Sequence, residues 1–231
     1  MRLKLLLSGT DKELPIEHQD IVNSFIHRVL GSDNKYHDAK SNYSISTLRG
    51  GKWITGTKKI AFNNGGYIII SSLDDNFINE IALGLHTTKF YADIKLVGLE
   101  FVNEEFYNGW NHFATLSPII IKDYSSKKEY SFKTLDNSDF ETAVKNHLIN
   151  KISKTVPDLD LKDFEVKIPH NSKHKVTKMM VKNVVNIGSL CHISIHTNKK
   201  IAELIYNIGI GQSTGSGFGT IYKTENKDIY R

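Results

Sequence analysis

The sequence predicts an α+β fold built from two ferredoxin-like units in tandem. The first half of the chain shows strand-type and helix-type patterns in the order β-α-β-β-α-β, and the second half repeats that order without repeating its residues. Five of the sixteen glycines lie between Gly209 and Gly219, just before the last predicted strand. A chain of 231 residues can form two small domains. We expect an N-terminal unit at residues 1–110 and a C-terminal unit at residues 111–231.

The first unit begins with an apolar run at residues 2–8, which predicts a strand. The polar residues from Ser8 onward end this run too early for a signal peptide. Pro15 is expected to open a helix with apolar residues on one face, and Gly31 to end it. The remaining elements predicted for this unit are strands at 43–48 and 67–71, a helix with apolar positions at 77–85, and an alternating strand at 90–101.

The second unit is predicted to follow a connection at residues 106–115. Ser138-x-x-Glu141 matches a capping box and is expected to open a helix. The other elements predicted for this unit are strands at 116–121, 164–168, 176–185 and 190–196, a helix with apolar positions at 201–208, and a final strand at 218–223.

The glycine-rich segment Gly209-Ile-Gly211-Gln-Ser-Thr-Gly215-Ser-Gly217-Phe-Gly219 lies between a predicted helix and a predicted strand. Phosphate-binding loops of nucleotide sites have the reverse order, strand then loop then helix, and no GK[ST] follows here. Both observations exclude a nucleoside triphosphate or dinucleotide site. The segment is either a helix C-cap followed by a flexible turn, or a backbone that lies close against a large charged partner.

Composition permits a polyanionic partner without requiring one, because 30 Lys and Arg residues face 25 Asp and Glu residues and the isoelectric point is about 9.0. Cys191 is the single cysteine, so no intrachain disulfide can form and a cytoplasmic location is expected. No apolar run reaches membrane-spanning length, so no membrane partner is expected.

A metal site was weighed for His170-x-x-x-His174 together with Cys191-His192 and His196. These residues are spread over a predicted loop and strand, and no C-x-x-C or H-E-x-x-H spacing occurs. We therefore expect no metal and no cofactor. Cys191 lies in an apolar run and is not expected to act as a nucleophile.

Three stretches resemble the CRISPR-associated endoribonucleases that cut precursor repeat RNA, within the repeat-associated (RAMP) superfamily. The segment from Gly209 to Gly219 resembles that family's glycine-rich loop, written G-x-G…G-F-G. Tyr36-His37-Asp38 followed by a strand resembles its histidine loop, and Leu116-Ser-Pro-Ile-Ile-Ile resembles the start of its C-terminal half. Many members carry Lys or Arg inside the glycine loop. Here the corresponding positions are Gln212, Ser213, Thr214 and Ser216.

The resemblance implies RNA cleavage without a metal, giving 2′,3′-cyclic phosphate and 5′-hydroxyl ends. RNA supplies its own nucleophile, the 2′-OH, and a histidine can act as general base or acid near neutral pH. His37 lies where the family's catalytic histidine falls. Lys52 and Lys40 are the candidates for stabilising the charge that develops on the phosphate, and the candidate positioning residue is Tyr36 or Tyr43.

The expected partner is CRISPR repeat RNA, as precursor and as processed guide. Subunits of an effector complex and a second copy of the chain are further candidates. Basic residues on a loop and the following strand can contact an RNA backbone, and glycines let backbone amides approach phosphates. The residues predicted to bind RNA are Gly209, Gly211, Gln212, Ser213, Thr214, Gly215, Ser216, Gly217, Gly219, Lys173, Lys175, Lys178 and Lys182.

Two alternative functions stay open at the level of sequence. A RAMP-type subunit without nuclease activity would hold guide RNA in an effector complex and would not need His37. An unrelated pair of ferredoxin-like units could bind a small molecule or a protein, because this fold serves many activities.

Overall fold

The structure is a computed structural model that describes residues 1–31, 34, 36, 42–85, 89–91, 93–124, 130–171 and 173–225. It contains two four-stranded antiparallel sheets with the same strand order, and each sheet carries two helices. No helix among these residues is both long and apolar enough to cross a bilayer.

In the first unit, the strand that comes first in the sequence lies in the interior of the four-stranded sheet. Its neighbours are the third and the fourth strands of that sheet in sequence order. The sheet order is β3-β6-β1-β7, and a small sheet of order β2-β5-β4 flanks it. The elements are β1 Arg2–Leu7, β2 Thr10–Pro15, α1 Gln19–Leu30, β3 Tyr43–Ile45, β4 Lys52–Trp53, β5 Lys59–Phe62, β6 Gly66–Ser72, α2 Asp75–Gly84 and β7 Leu96–Phe101.

The second unit repeats this arrangement with the order β11-β14-β8-β15. Two hairpins, β9–β10 and β12–β13, are additions to the repeat. The elements are β8 Gly109–Thr115, β9 Ile121–Asp123, β10 Ser131–Lys133, α3 Phe140–Thr155, β11 Glu165–Lys167, β12 Lys175–Val181, β13 Val184–Leu190, β14 His192–Thr197, α4 Lys199–Ile208, a 3₁₀ turn Thr214–Ser216 and β15 Ile221–Lys223.

The predicted fold class is confirmed, because in both units the sheet-forming elements follow the order β-α-β-β-α-β and pair in the same way. The helix predicted to open at Pro15 instead starts at Gln19, since residues 10–15 form β2 and pair with β5. Pro15 has no N–H to donate and stands at the end of that strand.

The first strand of the second unit was predicted too late in the chain. Residues 109–115, expected to be a connection, form β8, an interior strand that pairs with both β14 and β15. Its alternation is hidden because the buried face carries the polar Asn111 beside Phe113, while the partly exposed face carries Trp110. Asn111 is buried at low cost because its amide donates to the carbonyls of Tyr107 and Gly109.

The predicted capping box at Ser138 is also wrong. Asp139 is the N-cap residue of α3, and its side chain makes no capping hydrogen bond. The Glu141 carboxylate reaches across to accept a hydrogen bond from the Ile168 amide at 2.7 Å. A tertiary contact has replaced the local one that the spacing suggested.

Each sheet buries one face under its own helices. In the first unit Leu3, Leu5 and Leu7 on alternate positions of β1 pack against α1 and α2, and a separate cluster around Phe113 and Ile193 fills the second unit. The predicted boundary after residue 110 falls inside β8. The division into domains at that point stays a prediction.

Arg2 joins the two units. Its guanidinium leaves β1 and donates to the carbonyl of Ile221 at 2.7 Å and to that of Tyr206 at 2.6 Å, and it lies 3.4 Å from the centre of the Tyr206 ring. Burial lowers the pKa of Arg2 to about 10, so the guanidinium is still charged at neutral pH. A buried charge at this place requires these carbonyl partners.

Replacing Arg2 by Met is expected to destabilise the protein by at least about 1–3 kcal/mol, because two buried carbonyls lose their donor. Lys4→Met is the control on the same strand, since Lys4 pairs with the exposed Glu100 and a surface pair contributes about 1 kcal/mol or less. Urea unfolding followed by circular dichroism compares the two. Equal midpoints for Arg2→Met and wild type would contradict the joining role.

Candidate functional site

The glycine-rich loop, residues 209–219, lies at the junction of the two units. It closes on itself through the Ile210 amide, which donates to the Gly219 carbonyl at 2.8 Å. The Gly219 and Gln212 amides donate to the carbonyls of Pro118 and Ile120, both at 2.9 Å. Gly209, Gly211, Thr214, Gly215, Gly217 and Gly219 are buried, whereas Gln212 and Ser216 are partly exposed and Ser213 is exposed.

The loop also contacts the first unit directly. The Thr214 hydroxyl donates to the Tyr43 carbonyl at 2.8 Å, at the start of β3. The Asn23 amide, on α1, donates to the Ser216 carbonyl at 3.3 Å. Gly209 and Gly217 therefore pack closely against the first unit. The parts of the loop that face solvent are Gln212, Ser213 and Ser216.

Gly217 shows why glycine is required in this loop. Its φ is +96°, and a Cβ at this position would lie 2.1 Å from Nε2 of the buried Gln19. The side chain of Gln19 is held by a hydrogen bond from its Nε2 to Oδ1 of Asn23 at 3.0 Å. The loop and α1 fit together only without a side chain here.

Lys151 on α3 supplies a cation to a loop that has no Lys or Arg of its own. Its Nζ lies 2.8 Å from the Ile208 carbonyl oxygen, 3.3 Å from that of Gly209 and 3.5 Å from that of Gly211. It also donates to the Thr214 hydroxyl at 3.2 Å. The ammonium group thus connects α3, the end of α4 and, through Thr214, the start of β3.

Burial lowers the pKa of Lys151 to about 7, because no carboxylate among its contacts compensates the loss of water. His147 lies one turn earlier on α3. Burial first, and then the charges of Lys151 and Lys154, lower the pKa of His147 to about 4. Near neutral pH His147 is therefore neutral, while Lys151 titrates.

A cleft of about 530 Å³ opens between α3 and the glycine loop. Among the described residues that line it, none is Asp or Glu. The polar side chains at the cleft that matter for the site are those of Asn42, His147, Lys151, Lys154, Gln212 and Ser213. Positive charge and neutral hydrogen-bond donors without a carboxylate favour an anionic ligand.

The predicted catalytic residues are only partly described. His37 and Lys40 lie outside the described residues. Tyr43 is buried and stacks on Phe77 with ring centres 4.4 Å apart. Lys52 is exposed on β4, and no hydrogen bond or ion pair in the described part of the chain joins it to Tyr43 or the glycine loop. The roles of these four residues stay predictions.

The four predicted RNA-binding lysines of the second unit are all exposed, at and beside the β12–β13 hairpin. Lys182 was predicted to lie within a strand, but it lies in the hairpin turn with φ +49°. The backbone amide of Lys182 donates to both carboxylate oxygens of Asp20 at 3.0 Å, which ties the hairpin tip to α1. Lys175 and Lys178 occupy positions of opposite parity and so point to opposite faces of the hairpin.

Three of the four candidate zinc-ligating histidines, His174, His192 and His196, have protein partners. The Nε2 of His174 accepts a hydrogen bond from the His192 amide at 2.9 Å, and Nδ1 of His196 lies 3.0 Å from the Asp163 carbonyl. Among the described residues no group of three or more His, Cys, Asp or Glu side chains has metal-binding geometry. Cys191 is buried, and burial raises the pKa of its thiol to about 12, which makes it a poor nucleophile.

Sequence reasoning missed Lys151 altogether. Lys151 and Lys154 are three residues apart on a helix of low amphipathicity, and such lysines are ordinarily solvated. The absence of Lys and Arg from the glycine loop was the one available signal, since it indicated that a cation had to come from elsewhere.

The fold and the site define a protein of two tandem ferredoxin-like units joined at a buried glycine-rich loop. Two solved structures have this fold over nearly their whole length. One comes from the characterization of a Cas6-related gene from Pyrococcus furiosus, with a TM-score of 0.83 and 21% identity over 98% of this chain and 99% of that chain. The other is described as a RAMP protein binding different RNA substrates. It has a TM-score of 0.83 and 22% identity, over 97% of this chain and 100% of that chain.

The family model for the C-terminal part of the CRISPR-associated protein Cas6 matches residues 102–222, just over half of the chain. The chain therefore belongs to the Cas6 family. A curated relative, described as a putative CRISPR-associated endoribonuclease-like protein Cas6 from Pyrococcus furiosus, is 28% identical over 116 residues. The match covers 48% of this chain and 46% of that relative, so the chain spans about half of its length.

Gly217→Ala is expected to destabilise the protein more than Gly56→Ala. Both glycines have positive φ, +96° and +78°, so both variants carry backbone strain of about 1–2 kcal/mol. Nothing lies within 4 Å of a Cβ at Gly56, whereas at Gly217 the Cβ meets Gln19. Thermal unfolding measures the difference, and adding Gln19→Ala should recover part of it. Equal losses for the two alanine variants would show that close packing on α1 is unimportant.

The stability contribution of Lys151 is expected to rise with pH. Its pKa of about 7 in the folded protein lies below the ordinary 10.5, so between these values the unfolded chain binds the extra proton. The free energy of unfolding of wild type should therefore increase relative to Lys151→Met from pH 7 to pH 10, by at most about 1.4 kcal/mol per pH unit. Urea titrations at several pH values measure it. A constant difference across this range would mean that the pKa is not lowered.

Proposed function

We propose that the protein is a metal-independent endoribonuclease that cuts precursor CRISPR repeat RNA into guide RNAs. Membership of the Cas6 family supports this function, as does the carboxylate-free cleft beside the glycine loop. The observation that carries the proposal is that Asn42, which lines this cleft, follows His37 by five residues in the sequence. The candidate catalytic histidine is therefore close in sequence to a residue that lines an anion-favouring cleft.

The reaction needs no external nucleophile. The ribose 2′-oxygen forms a bond to phosphorus, the bond from phosphorus to the 5′-oxygen breaks, and a 2′,3′-cyclic phosphate and a 5′-hydroxyl result. One group must remove the 2′-proton and another must protonate the leaving oxygen. We assign one of these proton transfers to His37, charge stabilisation to Lys52 or Lys40, and a positioning role to Tyr43.

The second candidate function is a guide-RNA-binding subunit without nuclease activity. Two observations favour it: the likeness to the RAMP protein titled as binding different RNA substrates, and the burial of Tyr43 in the core. Both functions predict RNA binding, and only the first predicts cleavage. Association with effector-complex subunits or with a second copy stays a prediction under either function.

A repeat RNA transcribed from the CRISPR array next to the gene tests the chemistry. The unmodified RNA should be cut equally well with and without EDTA, and the same RNA with a 2′-deoxy scissile nucleotide should bind without being cut. Denaturing gels and end-group analysis give the products. Cleavage of the deoxy substrate would exclude 2′-OH attack, and binding of both RNAs without any cleavage would favour the non-catalytic function.

His37→Ala should reduce the cleavage rate by about 10²–10⁴-fold with little change in RNA affinity, because it removes one proton transfer. His170→Ala, at an exposed histidine of the second unit, is the matched control and should cut at the wild-type rate. Single-turnover kinetics with excess enzyme separate the rate of chemistry from binding. An unchanged rate for His37→Ala would place the chemistry elsewhere.

A further inference from the structure

The cleft between α3 and the glycine loop has the chemistry of a phosphate site, and the residues of α3 that line it have no assigned role. Its side chains offer two ammonium groups, three amides, three hydroxyls and an imidazole. We propose that this cleft binds a phosphodiester of the RNA backbone, with Lys154 contacting the phosphate and the Lys151 ammonium contributing positive charge from beneath it. The inference rests on the proposed function for the identity of the ligand as RNA, and it adds α3 to the RNA-contacting surface.

Lys151 acts through its charge and its position. Its three N–H groups face four oxygen atoms, three of them backbone carbonyl oxygens and one the Thr214 hydroxyl. These contacts occupy the three N–H groups of Lys151, so its effect on the ligand is through charge and not through a direct hydrogen bond. A partly buried cation is screened less by salt than one on the surface, and its field extends into the cleft. It also holds the loop that forms the opposite wall.

Lys154 is suited to direct contact. It lies three residues after Lys151 and therefore on the same side of α3, it is exposed, and it lines the cleft. No salt bridge in the described part of the chain includes it. An exposed ammonium at the edge of a cleft is a typical contact for a phosphate oxygen.

Neutral donors complete the site. Asn150 and Gln212 present amides and Ser213 presents an exposed hydroxyl, all without negative charge. His147 is neutral near pH 7, and its Nδ1 is buried without a hydrogen-bond partner among the described residues. Among the described residues that line the cleft, the titratable groups beside Lys151 are His147 and Lys154 on α3, since Gln212, Ser213 and Asn42 carry no charge.

The cleft is larger than a single phosphate ion requires. About 530 Å³ can hold a phosphate together with its attached sugars, as in sites for small organic ligands. Its position at the junction of the two units, beside Asn42 and the glycine loop, favours a polymer that crosses the junction. These features favour a phosphodiester in RNA over free phosphate.

The first experiment measures the salt dependence of binding with the 2′-deoxy repeat RNA, which is not consumed. Lys154→Ala should lower the slope of log affinity against log salt by about 0.7–1, because one phosphate contact is lost. Lys145→Ala is the matched control, a lysine on the same helix that does not line the cleft. The proposal is overturned if Lys154→Ala and Lys145→Ala have the same slope as wild type.

The second experiment compares Lys151→Met, Lys151→Arg and wild type from pH 6 to pH 8.5. A bound phosphate favours the ammonium and raises its pKa above about 7, so RNA affinity of wild type should fall several-fold as the pH rises. Lys151→Arg stays charged and should lose this dependence while keeping affinity. Lys151→Met should bind weakly at every pH. The histidines of the chain contribute equally to the pH dependence of binding in all three proteins. The same pH dependence in all three would therefore overturn the role of Lys151.

Inorganic phosphate distinguishes the two sources of the anion. Competition by millimolar orthophosphate should be weak, and Lys154→Ala should affect RNA binding. If Lys154→Ala weakens binding of orthophosphate, followed by phosphorus NMR, but leaves RNA affinity unchanged, the cleft is a site for free phosphate and the proposal is overturned. Wild type that binds no repeat RNA would overturn both this inference and the proposed function, whereas normal cleavage by Lys154→Ala with an unchanged salt slope would overturn this inference alone.

Discussion

The carbonyl groups at the C-terminal end of α4 impose the constraint on which the junction depends. The last turn of any helix leaves carbonyls without intrahelical donors, and here that turn is buried between the two units. Arg2 from the first unit donates to the Tyr206 carbonyl, and Lys151 from α3 donates to that of Ile208. Both cations lie at the negative end of the helix dipole, which favours positive charge. The buried Arg2 and the partly buried Lys151 thus supply hydrogen-bond donors to the end of one helix.

The hydrogen bonds at the end of α4 set the position of the glycine-rich loop. The loop leaves α4 at Gly209, beside Lys151, and its 3₁₀ turn is tied through Thr214 to the first residue of β3. The glycines allow close approach to α1 and to residues 118–120, so backbone packing replaces side-chain packing at the junction. As a result, the solvent-facing part of the loop is short, and the positive charge next to it comes from a neighbouring helix. A cleft that favours anions follows from how the two units are joined.

Much of the fold could be predicted from pattern alone, because apolar residues at helical or strand spacing mark faces that must be buried. The interior strand β8 escaped prediction, since Asn111 occupies a core position and is satisfied by backbone carbonyls that only the folded chain brings near. The apparent capping box at Ser138 failed for the opposite reason. Glu141 could bond locally, but a donor on a distant segment, Ile168, offered a better contact. Sequence patterns predict structure poorly at polar side chains that have several possible hydrogen-bond partners.

The sequence by itself determined the fold class, the position of the glycine-rich loop before the last strand and the resemblance that names His37, because these depend on local residue order. Tertiary structure decided how the loop is used. It buried most of the glycines, placed Lys182 in a turn, and brought Lys151 to the loop from 58 residues away in the chain. The sequence of a polar helix does not indicate where a lysine's ammonium group will lie. The position of that group depends on which backbone carbonyls near the lysine lack a hydrogen-bond donor in the folded protein.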